Sequence, residues 1–97
     1  MVQDYPPSRN ESVAVGVTSV EIAPARERVL FYIKNTSAAA QTVTVVLGPV
    51  AAVAGAGIVL EPGDFISDSD GDIYRAWRGP ILAISSAAGA TLAVTER

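Results

Sequence analysis

From Ser12 onward the chain alternates with a period of two. Val13, Val15 and Val17 are interleaved with Ala14, Gly16 and Thr18, and Val20 and Ile22 continue beyond a slip at Ser19. Alternation of this kind marks a strand with one buried face. A bulge or bend near Thr18 and Ser19 accommodates the slip. Ala23, Pro24 and Ala25 then close the segment.

The run 28-RVLFYIKN-35 puts Val29, Phe31 and Ile33 on one face and Leu30 and Tyr32 on the other. With both faces apolar it reads as a central strand. The polar stretch 35-NTSAAAQ-41 reads as a loop. In 41-QTVTVVLG-48, Val43, Val45 and Leu47 are expected inward, with Thr42 and Thr44 outward. These two strands are expected to pair as an antiparallel hairpin.

Gly48 and Pro49 form a turn. In 50-VAAVAGAGIVL-60 alanine favours a helix, but Gly55 and Gly57 oppose it. The expectation is a loop followed by a strand over 57–60. Glu61, Pro62, Gly63 and Asp64 have the signature of a type II turn, with Pro second and Gly third. Phe65 and Ile66 start another strand, 68–72 reads as a loop, and strands follow over 72–78, 80–86 and 90–96. No helix is expected. The predicted fold is all-β: a small antiparallel β-sandwich or barrel of about seven to eight short strands. It fills one domain over 12–97. An extended N-terminal arm over 1–11 precedes it, stiffened by Pro6 and Pro7, with Tyr5 pushed toward an extended shape.

Composition sharpens this picture. The chain has 97 residues, no Cys and no His. A domain of that size often relies on disulfides, metals or oligomerisation. Disulfides, thiolate metal sites and the usual zinc ligand are excluded, which leaves oligomerisation or docking on a partner. The apolar fraction of 49% points the same way. The net charge of −3 argues against a broad basic face for nucleic acid. The N-terminal 1-MVQDYPPSRNES-12 lacks the apolar core of a secretory leader. The longest apolar stretch, 43–60, is broken by Pro49 and three glycines and makes a poor membrane span, which needs about 20 apolar residues. The expectation is a soluble chain made in the cytoplasm, with no nucleic acid and no membrane among its partners.

The densest chemistry is acidic. Glu61, Asp64, Asp68, Asp70 and Asp72 are five of the ten acids. Asp68, Asp70 and Asp72 resemble part of a calcium loop, but the register fails. With Gly71 at the sixth position the twelfth is Trp77, where a Glu is required. A solvated turn whose carboxylates cap their own backbone is the simpler reading. Paired carboxylates can hydrolyse glycosidic bonds across a cleft at about 5–9.5 Å, but a turn makes no cleft. Ser and Thr have no His to activate them. No catalytic, cofactor or metal residue is assigned. On a strand over 72–78, Tyr74 and Arg78 share one face and Arg75 and Trp77 the other. Trp and Arg are enriched at the energetic centres of interfaces, so these four, with Tyr5, Pro6 and Pro7, are the candidate interface residues. Trp77 in the core, with the two arginines in water, is the structural alternative.

The stretch 72-DIYRAWRGPILAISSAAGATLAVTER-97 resembles the ending of many small proteins from the structural modules of tailed bacteriophages. The order of elements is similar as well: Val-rich strands and an Ala-Pro corner (17-VTSVEIAPARERV-29), a strand ending in Asn with its loop (30-LFYIKNTSAAAQTVTV-45), and a Pro-Gly turn (61-EPGDF-65). The likeness covers most of 12–96. It implies a virion β-sandwich without enzymatic activity: a capsid decoration or cement protein that binds the major capsid protein or other virion proteins. As an assembly it implies a homo-oligomer, a trimer before other numbers. The alternative is a receptor- or carbohydrate-binding module of a tail or fibre. An acid-using hydrolase ranks last.

Overall fold

The computed structural model describes residues 8–38 and 40–97. The period-two segments become eight strands: β1 (Arg9–Val15), β2 (Val20–Ala23), β3 (Leu30–Asn35), β4 (Val43–Leu47), β5 (Ile58–Leu60), β6 (Phe65–Ser69), β7 (Ile81–Ser85) and β8 (Ala90–Glu96). They form two four-stranded antiparallel sheets, ordered β1-β8-β3-β6 and β2-β7-β4-β5. The expected all-β sandwich is therefore the fold. Among the described residues no helix is long and apolar enough to cross a membrane.

The core lies between the sheets. Val15, Phe31, Ile33, Leu92 and Val94 from one sheet meet Ile22, Val43, Val45, Leu60 and Ile81 from the other. Each such side chain contributes about 1.5–3 kcal/mol when fully buried. β3 is central, as its two apolar faces suggest, flanked by β8 and β6. The slip at Ser19 is more than a bulge. The strand ends at Val15, and after Gly16–Ser19 the chain resumes as β2 in the other sheet.

Several expectations need correction. β3 and β4 do not form a hairpin, because β3 pairs with β6 and β8 whereas β4 pairs with β5 and β7. The loop between them crosses from sheet to sheet. Strand β1 begins at Arg9 and pairs with β8 from Glu96 onward, so residues 9–11 belong to the sandwich rather than to an arm over 1–11. Residues 72–78 form no strand, and Asp68 lies in β6 rather than in the loop after it. Thr44 is buried and Leu47 exposed, the reverse of the expected alternation. The 48–57 loop folds over the outer face there, with the Gly55 amide donating to Thr44 Oγ1 at 3.0 Å. It is anchored again where the Ala52 amide donates to Ser19 Oγ at 2.8 Å.

The turn at 61–64 is as expected. The Asp64 amide donates to the Glu61 carbonyl at 2.9 Å, and Gly63 takes the positive φ of 91° that a type II turn demands at its third residue. The turn is fastened to the end of β3 by a bond from the Gly63 amide to the Asn35 carbonyl, 2.8 Å.

Candidate interaction site

Asp68, Asp70 and the candidates of 74–78 fall at one end of the sandwich, on the side where β6 is the edge strand, whereas Glu61 and Asp64 lie in the turn at the other end. Asp68 and Asp70 follow each other along the inward side of that edge. Asp68 Oδ2 accepts from the Tyr74 hydroxyl at 2.9 Å and from the Trp77 amide at 3.1 Å. Asp70 Oδ1 accepts from the Ala76 amide at 2.8 Å, and its Oδ2 from Arg78 Nη2 at 3.0 Å. These carboxylates therefore hold the 71–78 segment in its irregular path. A strand there would need the amides of Ala76 and Trp77, which are already committed. The Ala76 amide lowers the pKa of Asp70 most. Burial opposes it, and the Arg78 and Arg75 charges add to the lowering. The hydrogen bond to Asp68 pushes the Tyr74 hydroxyl up. Asp72 is exposed. Among the described residues no three acids converge as a metal site would require.

The four interface candidates do not share two strand faces. Trp77 packs half-buried against the core, and its Nε1 donates to the Pro80 carbonyl at 3.0 Å. Gly79 permits this, since a Cβ there would run into the Trp77 ring. Arg78 is tied to Asp70 at 3.0 Å, and Arg75, more exposed, also comes within 3.8 Å of Asp70. Tyr74 is 55% exposed, and its neighbour Ile73 is 100% exposed. On the outer face of the β3–β6 pair, Phe65 of β6 stacks on Tyr32 of β3 with ring centroids 5.1 Å apart. The structure thus brings Tyr74, Arg75, Asp68 and Asp70 together, and withdraws Trp77 and Arg78 from the surface in part. Tyr5, Pro6 and Pro7 lie outside the described residues.

The same end contains a group that sequence reasoning missed. Glu96 and Arg28 are both wholly buried. Arg28 Nε donates to Glu96 Oε1 at 2.7 Å, and its other nitrogens reach the carbonyls of Pro24, Trp77 and Gly79. Arg9 Nη1 donates to Glu96 Oε2 at 2.6 Å and Arg9 Nη2 to the Ile22 carbonyl at 3.0 Å. Burial, the largest single influence, works against the Arg9 charge, but hydrogen bonds to Glu96 and Glu11 and the charges of both carboxylates raise its pKa on balance. The sequence held one clue. The alternation Ala90, Leu92, Val94 continues to Glu96, which places an acid on the buried face. Nothing comparable marks Arg28, which precedes its strand. Among the described residues, no buried side-chain nitrogen or oxygen lacks a hydrogen-bond partner, as a stable interior requires.

Compared with known proteins, the chain matches no family model, no curated protein and no solved structure.

Proposed function

We propose that this chain is a structural subunit of a tailed-bacteriophage particle: a capsid decoration protein that binds the outer shell as an oligomer and catalyses no reaction. The observation that carries the reading is the apolar surface left over once the core is filled. Val17, Val50, Val53, Phe65, Ile73 and Tyr74 all remain largely exposed on a chain of 97 residues. A contiguous exposed apolar patch marks a contact surface, and Ile73 and Tyr74 adjoin on the irregular 71–78 segment that Asp68 and Asp70 pin. A shell offers many identical sites, so weak contacts made by linked subunits multiply. The similarity in order of elements to phage structural proteins supports the identity of that shell, with the major capsid protein or another virion protein as partner.

The test is sedimentation of the purified chain with shells lacking it. Saturable, stoichiometric co-pelleting is expected, reduced by Ile73→Asp, a change at a position with no packing to lose. A chain that stays in the supernatant at every ratio rules the reading out. The second reading, a receptor- or carbohydrate-binding module of a tail or fibre, is favoured by the exposed Tyr74 ring and the Tyr32–Phe65 stack. It predicts binding to host cells or glycans that Tyr74→Ala abolishes.

A further inference from the structure

Asp70 is the only Asp or Asn in the sequence that is followed by Gly, and such a pair can react with itself. The Gly71 backbone nitrogen attacks Cγ of the protonated Asp70 carboxyl. A C–N bond forms, the Cγ–OH bond breaks, and one water leaves, made of that hydroxyl and the amide hydrogen. The product is a five-membered imide, to which water then adds back. Addition at the side-chain carbonyl restores aspartate. Addition at the backbone carbonyl sends the chain through Cγ and leaves the former α-carboxyl as the side chain. That product is isoaspartate, equal in mass and one carbon longer in the backbone. Glycine favours the attack because it has no Cβ to shield its nitrogen or restrict its φ and ψ. No oxidant or other co-reactant is needed.

The folded chain commits each reacting group elsewhere. The Gly71 amide donates to the Tyr74 carbonyl at 2.9 Å. Asp70 Oδ1 accepts from the Ala76 amide at 2.8 Å and Oδ2 from Arg78 Nη2 at 3.0 Å, with Arg75 Nη1 3.8 Å from the same oxygen. Cγ cannot swing toward the Gly71 nitrogen without breaking these contacts. The Ala76 amide first, and then the Arg78 and Arg75 charges, outweigh burial and hold the carboxyl below its ordinary pKa. It therefore stays ionised, with no hydroxyl ready to leave. We propose that Asp70–Gly71 is a latent isoaspartate site, guarded in the folded chain by Ala76, Arg78 and the Tyr74 carbonyl, and that isomerisation there unpins the 71–78 segment. The guard is lifted by local opening of that segment, which costs less than global unfolding. After isomerisation the longer backbone and the moved carboxylate no longer present the acceptors that Ala76 and Arg78 require. The proposal is independent of what the exposed Ile73 and Tyr74 dock on.

The test incubates the purified chain at neutral pH, folded and in guanidinium chloride, and locates isoaspartate by peptide mass spectrometry and enzymatic methyl labelling. The folded chain should accumulate it at least about tenfold more slowly than the denatured one. Arg78→Gln removes the closer cation from Oδ2, so it should isomerise faster than wild type while keeping the wild-type circular-dichroism spectrum. Gly71→Ala should slow the reaction in denaturant. It fits the fold, since its Cβ would stand 3.8 Å from that of Tyr74. The isomerised fraction, separated by chromatography, should show a shifted emission from Trp77, the only Trp, over an unchanged circular-dichroism spectrum. Equal rates in the folded and denatured chain, or undiminished isoaspartate in Gly71→Ala, would overturn the guarded site. So would an Arg78→Gln chain that folds yet isomerises no faster. An isomer with wild-type Trp77 emission would overturn the unpinning. If Arg78→Gln does not fold, the wild-type comparison and Gly71→Ala still decide.

Discussion

At one end of the sandwich Glu96 lies wholly buried opposite Phe31, gripped by Arg28 and Arg9. At the other end Asn35, equally buried and four residues further along the same strand as Phe31, does comparable work without charge. Its Nδ2 donates to the carbonyls of Gln41 and Leu60, each at 2.9 Å, and its Oδ1 accepts from the Ser37 amide at 3.0 Å. The difference follows from what each end must close. Asn35 seals short connections that already have hydrogen bonds of their own, including the 61–64 turn. Arg28 must satisfy carbonyls from both Pro24 and the irregular 71–80 stretch. The guanidinium offers five donors in a rigid fork, more than an amide can. That reach requires burying a positive charge, and Glu96 makes the burial tolerable.

The largest effect should come from breaking the charged end on one side only. Glu96→Ala leaves Arg28 buried without its counter-charge and is expected to cost about 3–5 kcal/mol, measured by urea unfolding. Asn35→Ala loses three hydrogen bonds to neutral groups and should cost about 1–3 kcal/mol. If Asn35→Ala proves the costlier of the two, this account of the ends is wrong. Because the two ends share no partner, the double variant should lose the sum of the two within about 0.5 kcal/mol. A large departure from additivity would show that the ends communicate through the core.

The smallest effect concerns acid. The folded state holds the Asp70 pKa below its ordinary value of 3.8, so it binds that proton less readily than the unfolded chain does. The stabilisation is present above that value and is lost as pH falls through the lowered one. The Trp77 environment should then change, because the neighbouring Ala76 amide loses its acceptor. Tryptophan fluorescence against pH reads this out, and Asp70→Asn should remove the acid step.

How much of this was legible depends on what a pattern of alternation encodes. It reports which side chains share a face, so most of the strands could be read directly, and Gly63 and Pro62 announced their turn. It does not report which strand lies alongside. The β3–β4 hairpin therefore looked sound, although those strands belong to different sheets. Residues 72–78 carried a strand-like mixture of apolar and charged side chains. Whether they paired was decided by Asp68 and Asp70, which captured the amides of Trp77 and Ala76. Arg28 could not be read at all, since its partners lie remote in sequence at Trp77, Gly79 and Glu96. The candidate surface was half legible. Tyr74 and Arg75 are exposed, but Gly79 lets Trp77 tuck inward.

The position of β8 has a consequence for how the chain is made. It lies between β1 and β3, and every pairing in that sheet except β3 with β6 requires it. Until residues 90–96 leave the ribosome, β1 has no partner, and Arg28 has no carboxylate to meet. Contacts so distant in sequence also close slowly. The four-stranded sheet can therefore close only once β8 is available, and β8 is the strand that locks it.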